Sequence, residues 1–178
     1  MVSYTKKKIL EFLKSSGIND IFMVSGTDYA SFIEEYSKGG DFPNIIVIPH
    51  EITAVSAALG YSMSSKIGVA FIHTTPGTAN SIGIIMNAYS ARRPLLIIAG
   101  RSPNTLKGDA SRNLRIHWGQ EAKDQGEMVR QWVKFEFEIR DRSQVIQTLK
   151  RAIRIAEEEP AGPVYISIPR EITIDEAL

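Results

Sequence analysis

Five uninterrupted apolar runs constrain the fold more than anything else in this chain. They occupy residues 21–24 (IFMV), 45–48 (IIVI), 69–72 (VAFI), 95–99 (LLIIA) and 164–168 (VYISI), and each stops at a Gly, Pro, Ser or His. A strand with one face in water alternates apolar and polar residues, whereas a continuous Ile/Val-rich run is buried on both faces. KFEFEIR, residues 134–140, does alternate, which predicts a half-exposed strand nearer an edge. Helical patterns fill the intervals, most clearly over 51–64, 78–92, 123–133 and 144–158. Doubly buried strands separated by helices predict an α/β fold. The expected form is a single-domain, doubly wound sheet over residues 1–178, mostly parallel, with about six strands and helices on both faces.

Composition narrows the partners. The chain has 178 residues, 43% of them hydrophobic, enough for one domain with a real core. Its formal net charge of +1 gives no reason to expect nucleic acid or a membrane surface. The absence of cysteine excludes disulfides and thiolate metal sites and fits a cytoplasmic protein. Near the start, Ile9, Leu10, Phe12 and Leu13 fall at helical spacing, which predicts an amphipathic helix rather than a signal peptide. Neither GxGxxG nor GxxxxGK[ST] occurs, so simple dinucleotide and P-loop readings fail.

In open parallel sheets, ligands bind outside the carboxyl ends of the strands. That rule selects Ser25-Gly26-Thr27, His50-Glu51, His73-Thr74-Thr75 and Gly100-Arg101-Ser102. Glu51 opens a helix with little bulk at Ala54, Ala57, Ala58 and Gly60, so something must approach that helix closely. One reading makes Glu51 a helix-dipole partner worth about 0.3–1 kcal/mol. The other makes it an acid–base group, because a carboxyl kept from water can exchange a proton near neutral pH. His73 is either a satisfied strand-end histidine or a ligand-side group, and His50 either supports its neighbours or faces solvent. TTPGTANSIG either cradles an anion or forms a strand-to-helix turn, with Gly77 permissive and Thr78 or Asn80 capping. The helix that follows is apolar nearly all round, which predicts burial in the domain or against a partner. Residues 101–120, long and irregular, are expected to act in binding or as a lid. Within them His117 reads as a surface residue, and Gln120-Glu121 as a cap for the next helix.

Taken together, PHEITAVSAALGYS, then VAFIHTTPGTANSIGIIMNAYSARRPLLIIAG, WGQEAKDQ, WVKFEFEIR and EEPAGPVYISIPREI resemble the pyrimidine-binding domain of thiamine-diphosphate-dependent enzymes. Acetolactate synthases and benzoylformate decarboxylases are the similar members. The resemblance implies that Glu51 hydrogen-bonds the cofactor's aminopyrimidine, favouring the imino form that takes the C2 proton and gives the ylid. It implies that Pro76, Gly77 and Asn80 line the cofactor. It makes His73 catalytic and substrate-contacting, and it sets Thr27 and Gln120 at the substrate. At Thr27 the turn VSGTDYA departs from the family's Gly-Ser pattern.

The family's diphosphate domain, with GDG and a downstream asparagine, is not in this sequence. The resemblance therefore implies a partner chain that carries it, with Mg2+ bound there and no metal ligands here. The expected enzyme is a split 2-oxo acid decarboxylase or carboligase, inactive without its partner and assembled as a homodimer or larger hetero-oligomer. A sulfopyruvate decarboxylase-like alpha subunit is one alternative. A non-catalytic scaffold or regulatory subunit is another, and an excised domain is a third. FAD is not expected, since the middle domain that carries it in relatives is absent from the sequence.

Overall fold

The structure, a computed structural model, describes residues 4–64, 67–105 and 119–174. His117 and most of the 101–120 loop lie outside the described residues. The helices are α1 (Thr5–Ser15), α2 (Ala30–Ser37), α3 (Glu51–Ser64), α4 (Thr74–Ser90), α5 (Val145–Glu157) and α6 (Arg170–Ile174). The strands are β1 (Asp20–Met23), β2 (Asn44–Val47), β3 (Gly68–Ile72), β4 (Leu95–Arg101), β5 (Phe135–Glu138) and β6 (Pro163–Pro169). All six strands are parallel, in the order β2-β1-β3-β4-β6-β5. Among the described residues, no helix is long and apolar enough to cross a membrane.

The continuous apolar strands serve two cores. Val69 and Phe71 of β3, Leu96 and Ile98 of β4, and Val164 and Ile166 of β6 face a core that includes Leu10 and Leu13 of α1, Phe32 of α2 and Leu149 of α5. Ala70, Ile72, Leu95, Ile97 and Tyr165 face the opposite core, with Val55 and Ala58 of α3 and Ile85 and Ala88 of α4. Both faces being dry explains why these strands show no polar alternation.

The small residues of α3 have a partly different use from the expected one. Ala54 and Ala58 are buried, and at Gly68 a Cβ would stand 2.0 Å from the Ala58 carbonyl oxygen. The helix is slim on that side because β3 lies against it. At Gly60, by contrast, an added Cβ would meet nothing within 4 Å. Gly68→Ala is expected to lower stability by about 1–3 kcal/mol through overpacking. The check is a denaturant titration whose midpoint falls while its slope is unchanged.

Four expectations are corrected. IIVI is not buried on both faces: β2 is an edge strand, with Ile46 and Val47 41% and 67% exposed. The helix expected over 123–133 is instead two 3-10 turns, Gly126–Met128 and Arg130–Trp132. There the Gln125 side chain is drawn into the sheet, and Gly126 lies where a Cβ would come 2.1 Å from Glu136 Oε1. The helix expected from residue 78 begins at Thr74, so Pro76 and Gly77 lie inside its first turns, with His73 at the N-cap. Neither Thr78 nor Asn80 caps it: Thr78 Oγ1 donates back to the Thr74 carbonyl at 2.8 Å. Within this chain α4 leaves Met86 and Tyr89 exposed, so the expected burial against a partner stays open.

Candidate active site

Strand order places the site. β1 runs on through α2 to β2 on one side, while β3 and β4 extend the sheet on the other, so the order reverses between β1 and β3. Such a switch point opens a crevice at the carboxyl ends. Asp28 follows β1 and His73 follows β3, and they meet there.

Tyr29 fixes the first of these turns. Its buried hydroxyl lies 2.9 Å from the Ile72 carbonyl and 2.8 Å from that of Ile98, pinning the β1 exit to the ends of β3 and β4. Burial, first of all, pushes this phenol well above its usual pKa, so it stays a neutral donor. Beside it, Asp28 is 4% exposed, with Oδ1 2.7 Å from His73 Nδ1 and Oδ2 accepting the Thr74 N–H at 3.4 Å. Two glycines leave room for this pair. A Cβ at Gly26 would lie 2.3 Å from His73 Nδ1, and one at Gly100 would lie 1.5 Å from Asp28 Oδ2. Thr74 has φ +36°, a strained backbone for a β-branched residue, and strain of this kind gathers at functional sites.

The other imidazole nitrogen, Nε2, lies 2.9 Å from Gln120 Nε2. With Nδ1–H donating to Asp28, a neutral ring has Nε2 free to accept from that amide. An imidazolium donates from both nitrogens, so charging the ring requires the Gln120 oxygen in place of the amide nitrogen. That oxygen, Oε1, is buried without a partner among the described residues. Gln125, fully buried, anchors the segment that carries Gln120. It accepts from Thr75 Oγ1 at 3.1 Å and donates to the Gly100 carbonyl at 2.9 Å and to Tyr165 Oη at 2.8 Å.

The pKa of His73 is raised above its ordinary 6.5. The hydrogen bond to Asp28 is the main cause, helped by the charges of Asp28 and Glu51 and by Gln120, and opposed by burial. A raised histidine pKa stabilises the fold below the unfolded value, near 6.5, and that contribution fades as pH rises through the folded value. Following the ring protons by NMR is expected to show Asp28→Asn shifting the His73 titration to lower pH.

Glu51 opens α3 and packs against the first turns of α4. It is 7% exposed. A Cβ at Gly77 would lie 2.8 Å from Glu51 Oε1, so glycine here answers to close approach rather than to φ. Among the described residues the carboxylate takes one side-chain hydrogen bond, a long one of 3.4 Å from Asn80 Nδ2 to Oε2. Buried carboxylates ordinarily gather more donors than this. Glu51 thus has capacity for an N–H that the described residues do not supply, which fits a ring nitrogen of a ligand.

The residues singled out from the sequence divide accordingly. His73 and Gln120 are in contact, as are Glu51, Gly77 and Asn80, and Glu51 acts electrostatically on His73. Gln120 touches His73 instead of merely capping a helix. Pro76 and Thr27 are exposed, and Thr27 makes no side-chain hydrogen bond among the described residues. His50 is exposed and its Nδ1 accepts the Ile52 N–H at 3.2 Å, a cap on the first turn of α3. Asp28 and Gln125 were missed as site residues, and Gly26 and Gly100, selected as strand exits, were not recognised as the space that the Asp28–His73 pair needs. The one available signal was an acid two residues after the strand-end Gly26, and it had no visible partner. Among the described residues no group of three His, Asp or Glu could hold a metal.

A parallel α/β domain with a buried carboxylate and an acid–histidine pair at its switch point is of the class that takes a coenzyme or small substrate there. Comparison with known proteins specifies the class. Residues 5–128 match the family model described as thiamine pyrophosphate enzyme, N-terminal TPP binding domain, and the chain belongs to that family. It is 29% identical to 2-hydroxyacyl-CoA lyase 2 of Danio rerio, over 92% of this chain and 25% of that protein. It is 28% identical to benzoylformate decarboxylase of Pseudomonas aeruginosa, over 89% and 28% of the two chains. It is 29% identical to the acetolactate synthase large subunit of Haemophilus influenzae, over 92% and 27%. The chain thus spans about a quarter of the length of these curated relatives. The fold matches that of a Rhodococcus jostii thiamine diphosphate-dependent 4-hydroxybenzoylformate decarboxylase with a TM-score of 0.82, at 24% identity, covering 99% of this chain and 32% of that one.

Proposed function

We propose that this chain is the pyrimidine-domain subunit of a thiamine-diphosphate-dependent 2-oxo acid decarboxylase or carboligase. In this reading a separate chain supplies the diphosphate-binding domain and its Mg2+, and the active species is a hetero-oligomer. A cytoplasmic setting, in keeping with the cysteine-free sequence, belongs to the same reading. The observation that carries it is the buried, under-partnered Glu51 carboxylate, held against Gly77 on the same side of the sheet as His73.

Glu51 would hold the aminopyrimidine, with Asn80 steadying the carboxylate and Pro76 and Gly77 leaving a flat approach. When bound, thiamine diphosphate supplies the acidic carbon and electron sink that 2-oxo acid chemistry needs. Glu51 holds and returns one proton at a ring nitrogen, which a solvated carboxylate would exchange with water instead. His73, oriented by Asp28, moves a proton at the substrate's carbonyl oxygen. Gln120 keeps the imidazole in place and, by turning its amide, matches either protonation state. Thr27, exposed, would meet the substrate carboxylate in this reading.

The test is reconstitution with a chain that carries GDG and its downstream asparagine, followed by 2-oxo acid turnover with and without thiamine diphosphate and Mg2+. Cofactor-dependent carbon dioxide release, absent from either chain alone, is the expected result. Turnover by this chain alone, or none by any such pair, would remove the split-enzyme reading.

A further inference from the structure

A second cavity, of about 550 Å3, lies at the carboxyl ends of β4 and β5 and shares no lining residue with the Glu51–His73 site. Its walls carry four cations, Arg101, Lys123, Arg130 and Arg140, against three carboxylates, Asp124, Glu136 and Glu138. The pairing is uneven. Arg130 takes two of the acids, with Nη2 2.8 Å from Asp124 and Nε 3.2 Å from Glu136. Among the described residues Arg101 pairs with Glu138 alone, at 3.0 Å from Nε. Lys123 and Arg140 make no ion pair among the described residues.

Arg101 is the unusual member. It ends β4, is 6% exposed, and its Nη1 is buried with no hydrogen-bond partner. A buried guanidinium with an idle donor is costly, and native structures ordinarily satisfy such groups. Nothing in the site described above uses it. Three cation-bearing segments therefore converge on one cavity with spare donors: β4, the stretch before the first 3-10 turn, and the exit of β5. The cavity is larger than a small 2-oxo acid requires and lies in the usual range for small-molecule sites. Arginine's planar fork matches phosphate oxygens, and a phosphate group offers more acceptors than a single carboxylate.

We propose that this cavity binds a phosphate-bearing small molecule, with Arg101, Arg140 and Lys123 as its ligands. The site is independent of whether the thiamine-dependent reading holds. Inorganic pyrophosphate is the probe, titrated calorimetrically into the chain in phosphate-free buffer at fixed ionic strength. The expected result is saturable single-site binding that Arg140→Ala and Lys123→Ala each weaken by about tenfold or more. Arg151→Ala is the control, since with Lys150 and Arg154 it lines a separate basic patch on α5, and it is expected to leave binding unchanged. Arg101→Gln, where it folds, is expected to abolish binding. No saturable binding, equal weakening by Arg151→Ala, or citrate binding as tightly as pyrophosphate would each overturn the proposal.

Discussion

Glu51→Gln, assayed with the diphosphate-domain partner, is expected to lower 2-oxo acid turnover by about 100-fold or more, the range for losing a positioned acid–base group. The substitution keeps the shape and burial of the side chain, so the contact with Gly77 survives. What disappears is the capacity to hold a negative charge and return a proton. Unfolding midpoints measured beside the rates are expected to move by no more than about 1 kcal/mol, because the native carboxylate makes only one long hydrogen bond among the described residues. A loss of rate with an intact fold separates chemistry from folding. Near-normal turnover would strip Glu51 of its role and leave the domain a scaffold.

Gly100→Ala is expected to have the largest effect on the fold. The new methyl would occupy the position of the Asp28 carboxylate, 1.5 Å from Oδ2 and 2.4 Å from Cγ. Neither group can yield cheaply. Gly100 lies in β4, hydrogen-bonded between β3 and β6, and its carbonyl accepts from Gln125. Asp28 is held by His73 and Thr74. Displacing it leaves a buried acid without its partners and takes the carboxylate from the half-buried His73, so a loss of about 3–5 kcal/mol is expected. Asp28→Ala in the same chain removes the clash, and the double variant is expected to recover much of the stability but none of the raised His73 pKa. That non-additivity, read from denaturant midpoints and the His73 titration, tests whether the glycine exists to accommodate the acid. Equal destabilisation by the single and double variants would mean that Gly100 serves the sheet alone.

Much of the fold was legible because burial on two faces leaves a direct mark. VAFI, LLIIA and VYISI have no polar alternation since both cores take them, and KFEFEIR alternates at its edge. IIVI misled because an apolar edge strand reads like a central one until its neighbours are known. The 123–133 segment misled because helical spacing does not register the pull of Gln125 into the sheet. Part of the site was equally legible. Glu51, His73 and Gln120 stand out as polar groups where apolar segments end or long loops close. Asp28 did not, since an acid in a turn is ordinary until something buries it.

The order of residues alone thus determined the class of fold, the parallel strands and the family, because periodicity and the polar exits of strands are local properties. Only the tertiary structure decided that β1 and β3 are neighbours at the switch point, and so that Asp28 meets His73. The same holds for the glycines at 26, 77 and 100. Their need for a missing side chain comes from atoms 26 to 72 residues away in the chain, save for the nearby Asp28 at Gly26, and no local pattern records such a distance.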